Sequence, residues 1–106
     1  MTDALIVFCT CSSREEASKL AHSLVCEGAA ACVNIVPAVE SVYRWEGKIE
    51  SAQEILLLIK TTRSQFAALR ELIVKLHSYE TPEVIALPVT DGLAKYLAWL
   101  GATIST

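Results

Sequence analysis

The sequence predicts an α+β ferredoxin-like βαββαβ sandwich, extended by an extra C-terminal helix and a short tail strand and laid out as one domain over residues 1–106. Three observations lead there. Strand-like apolar runs and stripes of helical period follow one another in the order β-α-β-β-α-β. The two middle strands meet at Glu46-Gly47, a two-residue turn that makes them a hairpin. Pro37 and Pro88 fall inside the second and fourth strands, which are the edges of a sheet ordered 4-1-3-2, and proline within a strand belongs on an edge or at a bulge.

Each element has its own signal. Residues 4–10, ALIVFCT, are apolar and β-branched enough for a buried strand. Residues 11–28 read as a helix capped by Ser12 or Ser13, with acids in its first turn and Gly28 as its stop. Its apolar stripe is Ala17, Leu20, Ala21, Leu24 and Val25, with Glu15 and Lys19 paired four apart outside it. Residues 30–45 and 48–62 are the hairpin arms. Residues 64–78 form a second helix with the stripe Phe66, Leu69, Leu72, Ile73 and Leu76. Residues 83–89 give the fourth strand. Residues 91–101 form a third helix, capped by Asp91 and stopped by Gly101, and 102–106 a short tail strand.

Composition limits what the chain can be. A domain of 106 residues buries only about 60–68% of its unfolded surface, yet 53% of these residues are hydrophobic and the mean hydropathy is +0.42. Membrane insertion does not account for this, because the longest apolar run, Ile55–Ile59, falls far short of the roughly 20 residues a span needs. Asp3 precedes the first apolar run and no basic segment does, so no signal peptide is expected. Four cysteines without export features point to reduced thiols and a cytoplasmic location. Association with other copies is what remains. The unbroken "LIVF" and "ILLLI" runs make both central strands apolar on both faces, and two helices cover only one. Hairpin arms of roughly 12–14 residues, against a usual ~5–6, overshoot one domain. Trp45, beside the charged hairpin tip, is therefore expected to be covered by a neighbouring subunit.

Other classes are excluded. A net charge of −3 gives no basic face, and the central strands offer no aromatic except Phe8, so nucleic acid is not expected as a partner. No phosphate-binding glycine loop, dinucleotide fingerprint or nucleophile elbow occurs, and no nucleophile–base pair is identifiable, so an enzyme is not expected.

Cys9 ends the first strand, where a thiol can ligate copper or zinc; the alternative is a small buried hydrophobe. Cys11 can share its face, although a C-x-C pair alone is a weak signal. Cys32 packs at the start of the second strand, and Cys26 lies on the polar side of its helix. The segment KLHSYETPE sets His77 close to Tyr79, Glu80 and Glu83, a set suited to metal binding or proton transfer. Alternatively His77 is a helix C-terminal residue favoured by the dipole and Tyr79 a plug over the helix end. His22 is read as solvated. Lys60, Glu46 and Lys48 are either ligand-binding charges or ordinary strand-end residues.

The segments AACVNIVP, SVYRWEGKIES, EILLLIKTT, LHSYETPEVIALPV and YLAWL resemble, in order and spacing, the CutA family of divalent-cation-tolerance proteins. The resemblance covers nearly the whole chain. It implies a ferredoxin-like homotrimer with hairpins engaging neighbours, copper or another divalent cation such as zinc as cofactor, and a part in the response to metal ions. By position it makes Cys9 and His77 the metal ligands, and it places Tyr43, Trp45, Lys60, Tyr79 and Glu83 around a cleft between subunits. Two positions depart from the family pattern: Ser78 stands where proline is common, and Leu76 where some members have a second histidine. A second reading is a PII-like trimeric signalling module that binds a small effector between subunits. A third is a non-catalytic trimeric scaffold.

Overall fold

The first apolar run forms β1 (Ala4–Cys11) and lies inside a four-stranded sheet rather than at its edge. The computed structural model describes residues 2–104. After β1 come α1 (Arg14–Cys26), β2 (Cys32–Trp45), β3 (Lys48–Thr62), a 3-10 turn (Arg63–Gln65), α2 (Phe66–Leu76), β4 (Ile85–Pro88) and α3 (Ala94–Thr103). The sheet order is β2-β3-β1-β4, with every neighbouring pair antiparallel. This is the expected ferredoxin-like α+β topology, with β2 and β4 at the edges. Pro88 ends β4 on its edge. Pro37 sits where the β2–β3 register breaks between Val36 and Val39, beside Ala38 at φ 61°. A bulge there removes the need for the missing proline N–H.

Strand alternation divides the residues between two faces. Val7, Cys9 and Cys11 of β1 pair with Ile59, Leu57 and Ile55 of β3. Val7, Cys9, Cys11, Leu57 and Ile59 form the main core with Ala17, Leu20 and Leu24 of α1 and Leu69 and Ile73 of α2. Each fully buried large apolar side chain contributes about 1.5–3 kcal/mol, so this layer carries most of the fold's stability. Ile6, Phe8, Leu56 and Leu58 take the opposite face, where Ile85 and Leu87 of β4 are 55% and 49% exposed. Both central strands are thus apolar on both sides, and one face is incompletely covered. A smaller cluster of Ala4, Ala31, Leu100 and Ile104, joined by Val89 and Leu97, anchors α3.

The hairpin is the longest feature of the molecule, which measures 44 × 25 × 22 Å. Glu46 and Gly47 have φ of 48° and 78°. Two successive left-handed residues make a type I′ turn, whose twist matches that of the strands. Near this turn Val42, Trp45 and Ile49 are 66%, 61% and 66% exposed. Trp45 is therefore not covered by its own chain.

Several boundaries differ from the sequence expectations. Ser13, not Ser12, caps α1, its side chain accepting the Glu16 N–H at 3.1 Å. Gly28 takes φ 74° just after the helix and donates its N–H to the Val25 carbonyl, a left-handed exit that suits glycine. Val25 and Leu76, expected on core stripes, are 43% and 44% exposed, because they sit at the margins of faces already filled by their neighbours. β4 is shorter than 83–89, since only Ile85–Pro88 pair with β1. Asp91 does not cap α3: its Oδ1 accepts the Gly92 N–H at 2.8 Å in a turn of its own, and extended Leu93 delays the helix to Ala94. Nor does Gly101 stop it. The helix runs on to Thr103, held by buried Leu100 and Ile104 on either side. Of the expected tail strand, Ala102 and Thr103 are helical, and residues 105–106 lie outside the described residues.

The turn gives a direct check. Asparagine tolerates the left-handed region better than glutamate, so Glu46→Asn should stabilise the protein by about 0.5–1 kcal/mol in chemical denaturation. A lower unfolding midpoint would show that the turn does not hold this conformation in solution.

Candidate metal centre

Cys9 and Cys11 are two residues apart on β1, so both point toward the helices, and neither is solvent-exposed. The third group arrives from α2. Its last turn closes with the His77 N–H donating to the Ile73 carbonyl at 2.8 Å, after which the backbone becomes extended. That turns the imidazole inward, leaving His77 8% exposed. One ring nitrogen and the two sulfurs all lie within 4.8 Å of one another. His77 Nδ1 accepts the Tyr79 N–H at 3.0 Å, so the proton of the neutral ring belongs on Nε2, which donates to the Thr10 carbonyl at 2.7 Å. The Tyr79 ring lies against the imidazole, with centroids 4.7 Å apart.

Glu16 ties this corner together. Its Oε1 accepts from the Ser12 N–H and hydroxyl at 3.3 and 3.2 Å. Its Oε2 accepts the Ser78 N–H at 2.7 Å and lies 3.7 Å from His77 Nδ1. One carboxylate thus joins the start of α1 to the loop after α2. Burial works against its charge, but hydrogen bonds from the Ser78 side chain and N–H and from Ser12 outweigh it, holding the carboxyl below its ordinary value.

The two thiols act as one acid. The hydrogen bond with Cys11, reinforced by burial, pushes the Cys9 thiol far above its ordinary value. The same bond from Cys9 holds Cys11 below its own, although burial opposes this. Of the pair, Cys9 holds its proton more firmly than Cys11. Two thiols and an imidazole are the donors that soft and borderline ions such as copper and zinc prefer. The residues therefore fit such an ion: Cys9, Cys11 and His77 would hold it, with His77 releasing one of its two hydrogen bonds.

A separate cleft opens on the other side of β1. Thr10, Ser41, Val42, Tyr43, Trp45, Glu54, Tyr79, Glu80, Thr81 and Glu83 line about 810 Å³. The Tyr79 hydroxyl donates to Glu54 Oε2 at 2.6 Å. Burial and this bond raise the Tyr79 phenol well above its usual range. The lining holds three carboxylates and no lysine or arginine.

The sequence-selected residues divide accordingly. Cys9 and His77 meet in the core, whereas Tyr43, Trp45, Tyr79 and Glu83 line the cleft. Lys60 lies apart from both, six residues along β3 from Glu54, with its ammonium on the Asn34 side-chain oxygen. Cys26 is exposed, Cys32 half-buried, and no disulfide joins the four cysteines. His22 is exposed on α1, its Nδ1 2.8 Å from the Ser18 carbonyl. Glu16 and Glu54 were not anticipated as parts of either site. The Ser13-x-x-Glu16 spacing carried a capping-box signal for the first; nothing local marked the second.

Replacing the carboxylate by an amide should expose the value of the Glu16 tie. Glu16→Gln is expected to lower stability by about 1–2 kcal/mol at neutral pH, measured by denaturant unfolding. Because the folded-state value of Glu16 is depressed, its contribution is full above the unfolded value and disappears as pH falls through the folded one. The gap between wild type and variant should therefore close in acid. A gap that stays constant from neutral to strongly acidic pH would contradict this role.

Comparison with known proteins agrees with the fold. Residues 5–103 match the family model described as CutA1 divalent ion tolerance protein. The chain is 54% identical over 97 residues to "Protein CutA, chloroplastic" of Arabidopsis thaliana, covering 92% of this chain and 53% of that protein. The chain thus spans about half the length of this plant relative. It is 48% identical over 95 residues to the "Divalent-cation tolerance protein CutA" of Thermus thermophilus, covering 90% and 92%. Among solved structures, CutA1 from Oryza sativa superposes with a TM-score of 0.95 at 46% identity, covering 98% and 95%. CutA from Xylella fastidiosa does so with 0.95 at 42%, covering 98% and 100%. With sequence, fold and coverage in accord, this chain belongs to the CutA1 family of divalent ion tolerance proteins.

Proposed function

We propose that the chain is a non-catalytic, copper-binding tolerance protein that works as a homotrimer in the cytoplasm and takes part in the response to metal ions. The observation that carries this reading is the convergence of Cys9, Cys11 and His77 within 4.8 Å in the core. Unrelated packing would not require two thiols and an imidazole to converge there, whereas a soft metal would. The names of the relatives, divalent-cation tolerance proteins, support a part for a divalent ion in general. Copper is the finer reading, and zinc is its nearest competitor. Four unpaired cysteines accord with a reducing compartment.

Assembly is supported by what one chain leaves uncovered. The apolar sheet face with Ile85 and Leu87, and the arm with Val42, Trp45 and Ile49, expose large side chains in two places. Subunits packed face to face, with each arm reaching its neighbour, would bury both. The threefold order is the one that the family resemblance implies. Binding of an anionic effector is the weaker reading, because the cleft lining is acidic and Lys60 lies outside it.

Calorimetric titration of the reduced protein with copper and zinc tests the metal reading. Cys9→Ser and His77→Ala should each weaken binding by more than about 100-fold, beyond the ~10–100-fold that supporting residues cost. Unchanged isotherms for both variants would refute it. Sedimentation should give a trimer at micromolar concentration, and a monomer would refute the assembly. Trp45→Ala should loosen that assembly while leaving the far-ultraviolet circular dichroism unchanged.

A further inference from the structure

We infer that Cys11 is a full ligand and that Cys9, Cys11 and His77 make a three-coordinate site, two sulfurs and one nitrogen, selective for copper in its monovalent state. This rests on the metal-binding reading above and specifies the ion's oxidation state and donor number.

Geometry comes first. Alternate residues of a strand point the same way, so Cys9 and Cys11 present their sulfurs to one space without any change of backbone. Two sulfurs at about 2.3 Å from one ion can be no more than ~4.6 Å apart. The observed spacing, within 4.8 Å for all three donors, is already close to that limit. Rotation of the cysteine side chains suffices to close it.

The number of donors decides which ion gains most. Among the described residues no carboxylate joins the group. Both Glu16 oxygens are engaged, by Ser12 and Ser78, and Glu54 accepts the Tyr79 hydroxyl in the cleft. Both cysteines have no exposed surface and His77 is 8% exposed, so the three donors face a largely dry space. Zinc takes four ligands in structural sites, and in catalytic sites three with an open position for water. Divalent copper favours tetragonal nitrogen and oxygen donors. Magnesium, calcium and manganese favour oxygen shells that this site lacks. Monovalent copper favours soft thiolates and is satisfied by two or three donors in a dry pocket. It alone finds its whole shell here.

His77 supplies the third bond from the other side of the core. Its ring is fixed by the Thr10 carbonyl and the Tyr79 N–H, at 2.7 and 3.0 Å. Whichever ring nitrogen takes the ion gives up the hydrogen bond it now makes, so the cost of loading is one hydrogen bond.

The test is anaerobic. Wild-type chain would be titrated with Cu(I) against a chromophoric chelator and with Zn(II) against a fluorescent one, and the loaded protein examined by X-ray absorption. One Cu(I) per chain is expected, with two sulfurs and one nitrogen, bound more tightly than Zn(II). Cys11→Ser should lose more than about 100-fold in Cu(I) affinity, the loss of a ligand rather than of a supporting residue. Cys11→Ala serves as a second variant, and circular dichroism of each checks the fold. The absorption measurement on wild type needs no variant at all. A single sulfur on the metal, tighter Zn(II) than Cu(I), or Cys11 variants that bind Cu(I) like wild type would overturn the inference. If Cys9→Ser still loses binding in that case, the metal-binding reading stands without it. If Cys9→Ser and His77→Ala also bind like wild type, both fall.

Discussion

The alternation of side chains along β1 is the constraint on which the rest depends. β1 pairs with β3 along its whole length and with β4 along half of it. Because the period is two, a shift of one residue would exchange every side chain between the faces. Val7, Cys9 and Cys11 would leave the core, and Ile6 and Phe8 would enter it. The same register fixes both sites at once. It sends the two sulfurs toward α2, and it sends Thr10, between them, to the cleft on the other face. The Thr10 carbonyl then holds the His77 ring, so one tripeptide provides two donors and the support for a third.

Glu16 shows how a local capping rule becomes a long-range tie. A carboxylate three residues after the helix cap lowers the energy of the first turn through unpaired N–H groups and the helix dipole. Here its second oxygen also reaches the Ser78 N–H, in a loop far along the chain. Only a residue other than proline can donate that N–H, and Ser78 does so. Ser78 therefore supplies a bond that fixes the loop. Among the described residues no buried side-chain nitrogen or oxygen lacks a partner, which is what a rigid, well-specified corner requires.

Much of this was legible in the sequence, for physical reasons that differ by element. The hairpin was readable because Glu46-Gly47 sits between two long apolar arms, and the sheet order because two prolines could only lie on edges. The start of α3 was not, because Asp91 had two uses for its side chain, a cap or a local turn, and the turn won. Cys9 and His77 were readable as candidates one at a time. Cys11 needed the third group in space before its spacing meant anything, since thiols two apart on a strand also pack as small hydrophobes. Lys60 was grouped with the aromatic residues of the hairpin, yet single-chain geometry sets it six residues along the strand. Residues that meet across a subunit boundary leave no periodicity within one chain.

The uncovered surface is of two kinds, and the difference bears on assembly. The sheet face is broad and built from Ile6, Phe8, Leu56 and Leu58 with the more open Ile85 and Leu87, so it can pack another sheet. The hairpin end is narrow and alternates Tyr43 and Trp45 with charged residues such as Arg44 and Glu46. A ribbon of two strands gains little by folding back on its own domain and is marginal when isolated. It becomes worth keeping when a neighbour covers it. The radius of gyration, 14.3 Å, slightly exceeds the ~13 Å typical of about 100 compact residues. That excess reflects the arm, whose apolar residues the chain itself does not bury. Trp45 and Tyr43 also line the acidic cleft with Tyr79, whose ring packs against the imidazole. In such an assembly a neighbour seated on the arm would lie beside Tyr79, whose N–H donates to His77 Nδ1. In the proposed assembly, contact between subunits and the loading of the core site act on one loop.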